Sequence, residues 1–308
     1  MIYKININKE KSVLLHGNGF ALNVYLPALI SLGIKEIFIN KNSTKNLNNK
    51  YLNKYRENII FIEEKDYKSR FFSYTIIAVS PAKQYEILVK SQILNNTNIL
   101  ILEKPIAPSP IQAIEILKKL DKLKINYLIN YSFRYAKWFY KLSSEIEKVS
   151  INKDLFIIWK FKAKHFVHKR TTWKRFHEKG GGAIRFYGIH LIAILSDIGY
   201  TSIDKSNIIF SKDDDLISLD CSFKSTKSLP RCKIKIDSNS SENKFCSYYL
   251  KDHKKIELFN LEAPFPYLEK EIREDPRIDI IKKILSDNNF NYDNFKVIEL
   301  WKKIEDRI

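Results

Sequence analysis

The chain has 308 residues, 44% hydrophobic and 29% charged, with 53 Lys+Arg against 35 Asp+Glu and a formal net charge of +18. That length suits two domains that each bury a core, and the composition excludes a disordered or collagen-like chain. The basic residues are mostly lysines spread along the whole sequence, which reads as a solvated surface, and no nucleic-acid-binding module is recognisable.

Residues 1–11 lack an apolar core, so no signal peptide is expected. Residues 12–16 read as a short buried strand. Gly17-Asn18-Gly19 turns it, and residues 20–32 have helical apolar spacing closed by Gly33. Further strands are expected at 36–39, 59–62, 75–79, 98–102 and 127–130, with helices over 82–93 and 110–123. Apolar strands alternating with amphipathic helices imply an α/β domain with a parallel sheet covered on both faces, here residues 1–128. From 129 to 308 the pattern becomes α+β. Segments 154–164, 216–223, 231–237, 245–250 and 256–259 suggest a mostly antiparallel open sheet, interrupted by a helix over 183–198. Helices over 268–285 and 294–306 close the chain, and the last of them can pack back on the first domain. No apolar run approaches the roughly 20 residues that span a bilayer. Cys221, Cys232 and Cys246 are odd in number and lack metal-ligand spacing. A reducing cytoplasm, no metal and no membrane partner are therefore expected.

Glycine is scarce: eight residues, where average usage would give about 22. Gly17 and Gly19 stand between a strand and a helix, the geometry of a dinucleotide site. Gly17 permits the tight turn and Gly19 lets the backbone approach a pyrophosphate at the helix N-terminus, with Asn18 and Phe20 completing the turn. The third glycine position of the fingerprint holds Leu22, which must push the helix from the sheet or fill a local gap. Alone, the motif also fits a tight turn with no ligand. Asn40 lies 23 residues after Gly17, where an acid would hold the ribose 2′-hydroxyl of NAD. It is uncharged and followed by Lys41, Ser43 and Lys45, which favours NADP over NAD; the alternative is an ordinary loop of a lysine-rich chain. Ser80 and Pro81 end the fourth strand and would line the same cofactor.

Three elements in order carry a resemblance: Gly17-Asn18-Gly19 with Pro27 ten residues on, Glu103-Lys104-Pro105, and Gly180-Gly181-Gly182 followed by Gly188-Ile189-His190. Over residues 12–200 they resemble the Gfo/Idh/MocA oxidoreductases, and residues 130–134 are similar to that family's segment after the sixth strand. The resemblance implies a Rossmann domain followed by a domain on an open antiparallel sheet. It also implies hydride transfer between a nicotinamide and a sugar or cyclitol carbon, and homo-oligomers formed through that sheet. Lys104 and His190 then carry the proton chemistry, with Tyr187 as a candidate helper and Glu103 beside the cofactor.

The chain departs from the family where Phe186 and Ala193 replace acids flanking the histidine on its helix. Gln84 or Tyr85 stands where a histidine is usual after the fourth strand. Residues 160–185 interleave basic groups with aromatics. Arg134, Lys164, Trp173 and Arg185 are the expected substrate contacts, and they suit an anionic sugar such as a nucleotide-diphosphate sugar. A solvated basic loop or a subunit contact is the alternative. The expected function is an NAD(P)-dependent sugar dehydrogenase or reductase. The alternative is a non-catalytic dinucleotide-sensing or scaffold protein on the same fold.

Overall fold

The computed structural model describes residues 11–47, 53–90, 92–211, 215–265, 275–286 and 292–307. The chain divides into two compact units. The first comprises Met1–Ala107, Glu115–Ser132 and Tyr267–Tyr292, the second Pro108–Ile114, Phe133–Pro266 and Asp293–Ile308.

The first unit holds a six-stranded sheet of β1 (Ser12–His16), β2 (Glu36–Asn40), β3 (Ile59–Ile62), β4 (Phe72–Ile77), β5 (Thr97–Glu103) and β6 (Asn126–Asn130). All neighbours are parallel, in the order β3-β2-β1-β4-β5-β6. Consecutive residues such as Val13, Leu14 and Leu15, or Leu100, Ile101 and Leu102, are fully buried. Both faces of the pleat are therefore covered, as continuous apolar strands require. The helices of this unit include α1 (Leu26–Ser31), α2 (Pro81–Lys90) and, from Glu115 onward, α3 (Pro110–Lys122). Pro81 opens α2, where its fixed φ fits and its missing N–H costs nothing. The strand order reverses between β1 and β4, so their carboxyl ends flank the crevice where ligands of such sheets bind.

In the second unit α4 (Lys137–Ile146), the single turn α5 (Lys164–Val167) and α6 (Ile189–Ile198) accompany a second six-stranded sheet. Its strands are β7 (Asp154–Lys162), β8 (Tyr200–Phe210), β9 (Leu216–Ser225), β10 (Arg231–Asp237), β11 (Asn239–Lys251) and β12 (Lys254–Leu261). The order is β12-β11-β7-β10-β9-β8, antiparallel except for the β7–β10 pair. Leu155, Ile157 and Trp159 of β7 point inward while Phe156, Ile158 and Lys160 alternate outward. Residues 189–195 of α6 are all buried, as expected of a helix apolar on every side. Two helices follow the second sheet, α7 (Arg277–Ser286) and α8 (Asn294–Glu305). Val297, Ile298, Leu300, Trp301 and Ile304 of α8 pack onto α6 and β8, each burial worth about 1.5–3 kcal/mol.

The structure corrects the sequence reading at three places. The helix that packs on α1 in the first unit is α7, whereas the last helix belongs to the second. Of the helix expected over 268–285, residues before 275 lie outside the described residues. Strand β8 and helix α4 were not anticipated. β8 is an edge strand rich in Ser, Asp, Lys and Asn, with register shifts against β9, so it lacks a clean alternation.

Candidate functional site

In the first unit Gly17 leaves β1 with φ +134°, a conformation that L side chains rarely adopt. A Cβ there would stand 2.3 Å from the Ala78 carbonyl oxygen and 3.2 Å from the Ala21 Cβ. The turn is this tight because the Ala78 N–H donates to the His16 carbonyl at 2.8 Å, drawing the end of β4 against β1. Gly19 differs: a Cβ there would meet nothing within 4 Å. That open space at the start of a helix is what a pyrophosphate cradle needs. The helix begins with a wide turn over Ala21–Tyr25, in which the Leu26 N–H reaches back five residues to the Ala21 carbonyl. Ala21 supplies the small side chain facing Gly17, one position before the fingerprint expects it. Leu22 turns into the core and is fully buried, so the gap-filling alternative holds. Phe20 packs edge-on against Tyr25 at 5.5 Å, and the Arg277 guanidinium lies 4.9 Å over its ring.

At the end of β2, Asn40 donates to the Tyr67 hydroxyl at 3.1 Å and accepts from the Asn42 N–H at 2.8 Å. A cleft of 330 Å³ opens beside it, lined by Asn40, Lys41, Asn42, Glu63, Glu64 and Lys65. Lys41 and Lys65 converge on Glu63 at 2.9 and 2.8 Å, and these hydrogen bonds hold its carboxyl down at about 2. Ser43 is buried and Lys45 exposed.

Glu103 ends β5 and Lys104 follows it. The Glu103 carboxylate accepts from the Tyr25 hydroxyl at 2.8 Å and the Asn130 amide at 2.7 Å, and that amide also donates to the Tyr25 oxygen at 3.0 Å. Burial raises this carboxyl above the usual range, opposed by Lys104, the two hydrogen bonds and Arg277. The backbone here is held by Gln84, fully buried on α2. Its amide oxygen accepts from the Glu103 N–H at 3.0 Å, and its amide nitrogen donates to the Glu103 carbonyl at 2.7 Å. Sequence reasoning noted Gln84 only as a replaced histidine and missed this task. The available signal was a polar residue on the apolar face formed with Pro81, Ile87 and Leu88.

In the second unit the glycine triplet folds under residues 173–175. A Cβ on Gly181 would lie 2.4 Å from the Trp173 carbonyl oxygen. Residues 183–188 form another wide helical turn that leads into α6. His190 is buried and stacks on Phe133, ring centres 4.6 Å apart and planes 16° from parallel. Phe186, in place of an acid, packs edge-on to Trp173 at 5.2 Å with the Lys174 ammonium 5.1 Å over its ring. Ala193 is fully buried.

Three of the expected site residues have protein partners here. Tyr187 lies among Trp159, Phe161 and Phe186, and burial raises its hydroxyl well above the ordinary value, the opposite of what a proton acceptor needs. Arg134 forms a two-pronged pair with Asp197 of α6 at 2.7 and 2.9 Å. Arg185 does the same with Glu305 of α8, at 2.7 Å twice, and also donates to the His177 carbonyl at 2.8 Å. Both guanidinium forks serve carboxylates of their own unit and hold helices. Arg175 likewise pairs with buried Asp215. Lys164 remains exposed and Trp173 half-buried.

Among the described residues no His/Cys/Asp/Glu cluster could hold a metal ion, and no helix is long and apolar enough to cross a membrane. All three cysteines are buried free thiols.

No protein-family profile and no curated protein matches the sequence. Solved structures do. The WlbA (WbpB) dehydrogenase from Thermus thermophilus, in complex with NAD and UDP-GlcNAcA, is 14% identical at a TM-score of 0.69, covering 97% of this chain and 95% of that one. KijD10, a 3-ketoreductase from Actinomadura kijaniata in complex with NADP and TDP-benzene, is 10% identical at 0.70, covering 96% and 97%. A super-repressor mutant of Gal80p from Saccharomyces cerevisiae is 13% identical at 0.68, covering 96% and 94%. The dehydrogenases among these neighbours are of the Gfo/Idh/MocA type, and the chain has their two-domain fold.

Proposed function

We propose that the protein is an NAD(P)-dependent oxidoreductase that moves a hydride between a nicotinamide and a hydroxyl- or keto-bearing carbon of a sugar. The observation that carries this reading is the open space at Gly19, beside a Gly17 whose Cβ the strand edge forbids. A side chain at Gly19 would enter that space, and Lys104 directly follows β5 of the same sheet. Gly17, Asn18, Gly19, Phe20, Ser80 and Pro81 would hold the dinucleotide, which when bound supplies or accepts the hydride. Lys104 takes the hydroxyl proton during oxidation, or as an ammonium polarises the carbonyl during reduction. Glu103, itself fixed by Tyr25 and Asn130, keeps a compensating carboxylate beside that amine. His190 is the second proton carrier we assign, on a platform provided by Phe133.

We further propose NADP as the preferred cofactor. Asn40 puts no charge against a 2′-phosphate, and Lys41 and Lys65 stand beside it, with Glu63 holding both until a phosphate competes. The substrate class we favour is a nucleotide-linked or otherwise anionic sugar. It is supported by the exposed cations Lys164 and Lys174, by Trp173, and by the UDP- and TDP-compounds bound to the neighbours. Assembly into a homo-oligomer through the second sheet is part of the proposal. A second reading, a dinucleotide sensor without turnover, is favoured by Phe186 and Ala193, which leave α6 without the acids expected beside His190. Fluorescence titration with NADPH and NADH, followed by hydride transfer against a panel of free and nucleotide-linked sugars, separates the two. Lys104→Ala should keep dinucleotide affinity and lose about 100-fold or more in turnover. Turnover unchanged in that variant overturns the role of Lys104, and binding without transfer to any sugar supports the sensor.

A further inference from the structure

One side chain ties together the segments that follow β4 and β5, neighbouring parallel strands of the first sheet. Gln84 lies in the first turn of α2, where its N–H donates to the Ser80 carbonyl at 2.8 Å. Its amide reaches the loop after β5. Beyond the two bonds to Glu103 it donates to the Ile106 carbonyl at 3.1 Å and, more weakly, to that of Pro105 at 3.4 Å. Pro105 has no N–H and Ile106 is fully buried. Glu103 is the last residue of the β5 ladder and Pro105 and Ile106 lie beyond it, so Gln84 supplies hydrogen-bond partners where the strand ends.

We propose that Gln84 is the positioning residue for Lys104. It grips the chain on both sides of the lysine, at Glu103 before it and at Pro105 and Ile106 after it. The amine is thereby fixed relative to the Ser80–Pro81 turn from which Gln84 itself springs. The inference rests on the reading of Lys104 as the proton-handling group. A carboxamide fits the geometry, because its oxygen accepts from the Glu103 N–H while its two N–H groups face the Glu103 and Ile106 carbonyls, with Pro105 at the margin of one of them. A carboxylate would face those carbonyls with like polarity. A thioether of the same length would leave one N–H and up to three carbonyls unmatched.

The test uses the full chain with Gln84→Met and Gln84→Glu. Three quantities are read per folded molecule: the NMR titration of the Lys104 ammonium, the dinucleotide Kd, and kcat with KM. The expected result for Gln84→Met is a Kd and sugar KM within about threefold of the parent, a displaced Lys104 titration, and kcat down roughly 100-fold, as a misplacement of about 1 Å produces. Gln84→Glu should approach the parent at low pH, where its carboxyl is protonated and donates. It should lose kcat as that group ionises, which adds an inflection to the pH profile. Lower stability with an unchanged Lys104 titration and unchanged kcat in either folded variant makes Gln84 merely structural and overturns the proposal. If the parent transfers hydride to no sugar, the oxidoreductase reading fails separately. The Lys104 titration of the two variants then still decides whether Gln84 places the amine.

Discussion

Two glycines two positions apart should respond oppositely to the same methyl group. In Gly17→Ala the new Cβ would sit 2.3 Å from the Ala78 carbonyl oxygen and 2.9 Å from its carbon, with φ near +134°. The strain of that backbone alone costs on the order of 1–3 kcal/mol. The contact is with backbone, so β4 must also move away from β1 and loosen the Ala78-to-His16 hydrogen bond. Gly17→Ala is expected to melt well below the parent or to accumulate insoluble. In Gly19→Ala the methyl enters open space at a helical position. It should leave stability unchanged or raise it by up to about 1 kcal/mol, through loss of unfolded-state freedom. If that space is the proposed pyrophosphate cradle, the same methyl enters it, and NADPH affinity should fall at least tenfold, about 1.4 kcal/mol. Differential scanning calorimetry and fluorescence titration of the two variants decide the matter. A Gly19→Ala protein that binds NADPH like the parent would mean that the space at Gly19 is not a cradle.

Two further outcomes follow from the second unit. Arg185→Met should lower unfolding free energy by about 1–3 kcal/mol, the range for removing one hydrogen-bond partner of a charged group, because Glu305 then keeps only the Trp301 N–H and His177. Sugar KM per folded molecule should stay within about threefold, and a tenfold rise at unchanged stability would return Arg185 to the substrate. Burial holds His165 and His177 down at about 4, against about 6.5 in the unfolded chain. Between those values the unfolded state carries more protons, so stability falls as pH drops from 6.5 to 4, by roughly 3 kcal/mol per histidine at most. Urea midpoints across pH 4–8 should show this slope and lose most of it in the His165→Gln/His177→Gln double variant; an unaltered slope refutes the assignment.

Much of this was legible from residue order. The alternation of apolar runs with amphipathic segments was enough to place β1 to β6, because a parallel sheet must hide both faces and leaves uninterrupted apolar strings. The second sheet was read from β7, β9, β10 and β11, whose sequences alternate. β8 escaped, since an edge strand tolerates polar residues on both faces. At the site, the glycine turn announced itself through scarcity. Leu22 was legible only as an anomaly, because helix periodicity does not reveal that the first turn is wide and brings Ala21 opposite Gly17. The partners of the basic residues were illegible for a related reason. A sequence shows charge without its partner, and Asp197, Asp215 and Glu305 lie 40 to 120 residues from the arginines they neutralise.

The first unit is assembled from three separated stretches, ending with Tyr267–Tyr292, and α7 from the last of these lies on α1 and the wide turn at Ala21–Tyr25. Synthesis runs from the N-terminus, so when the ribosome has made the glycine turn and all six strands of the first sheet, the apolar flank of α1 still waits for a helix more than 240 residues downstream. The nascent first unit therefore spends most of its translation with an uncovered seam. A release assay on stalled chains should find protease resistance of that unit arriving late, once residue 292 has cleared the exit tunnel, rather than at residue 132.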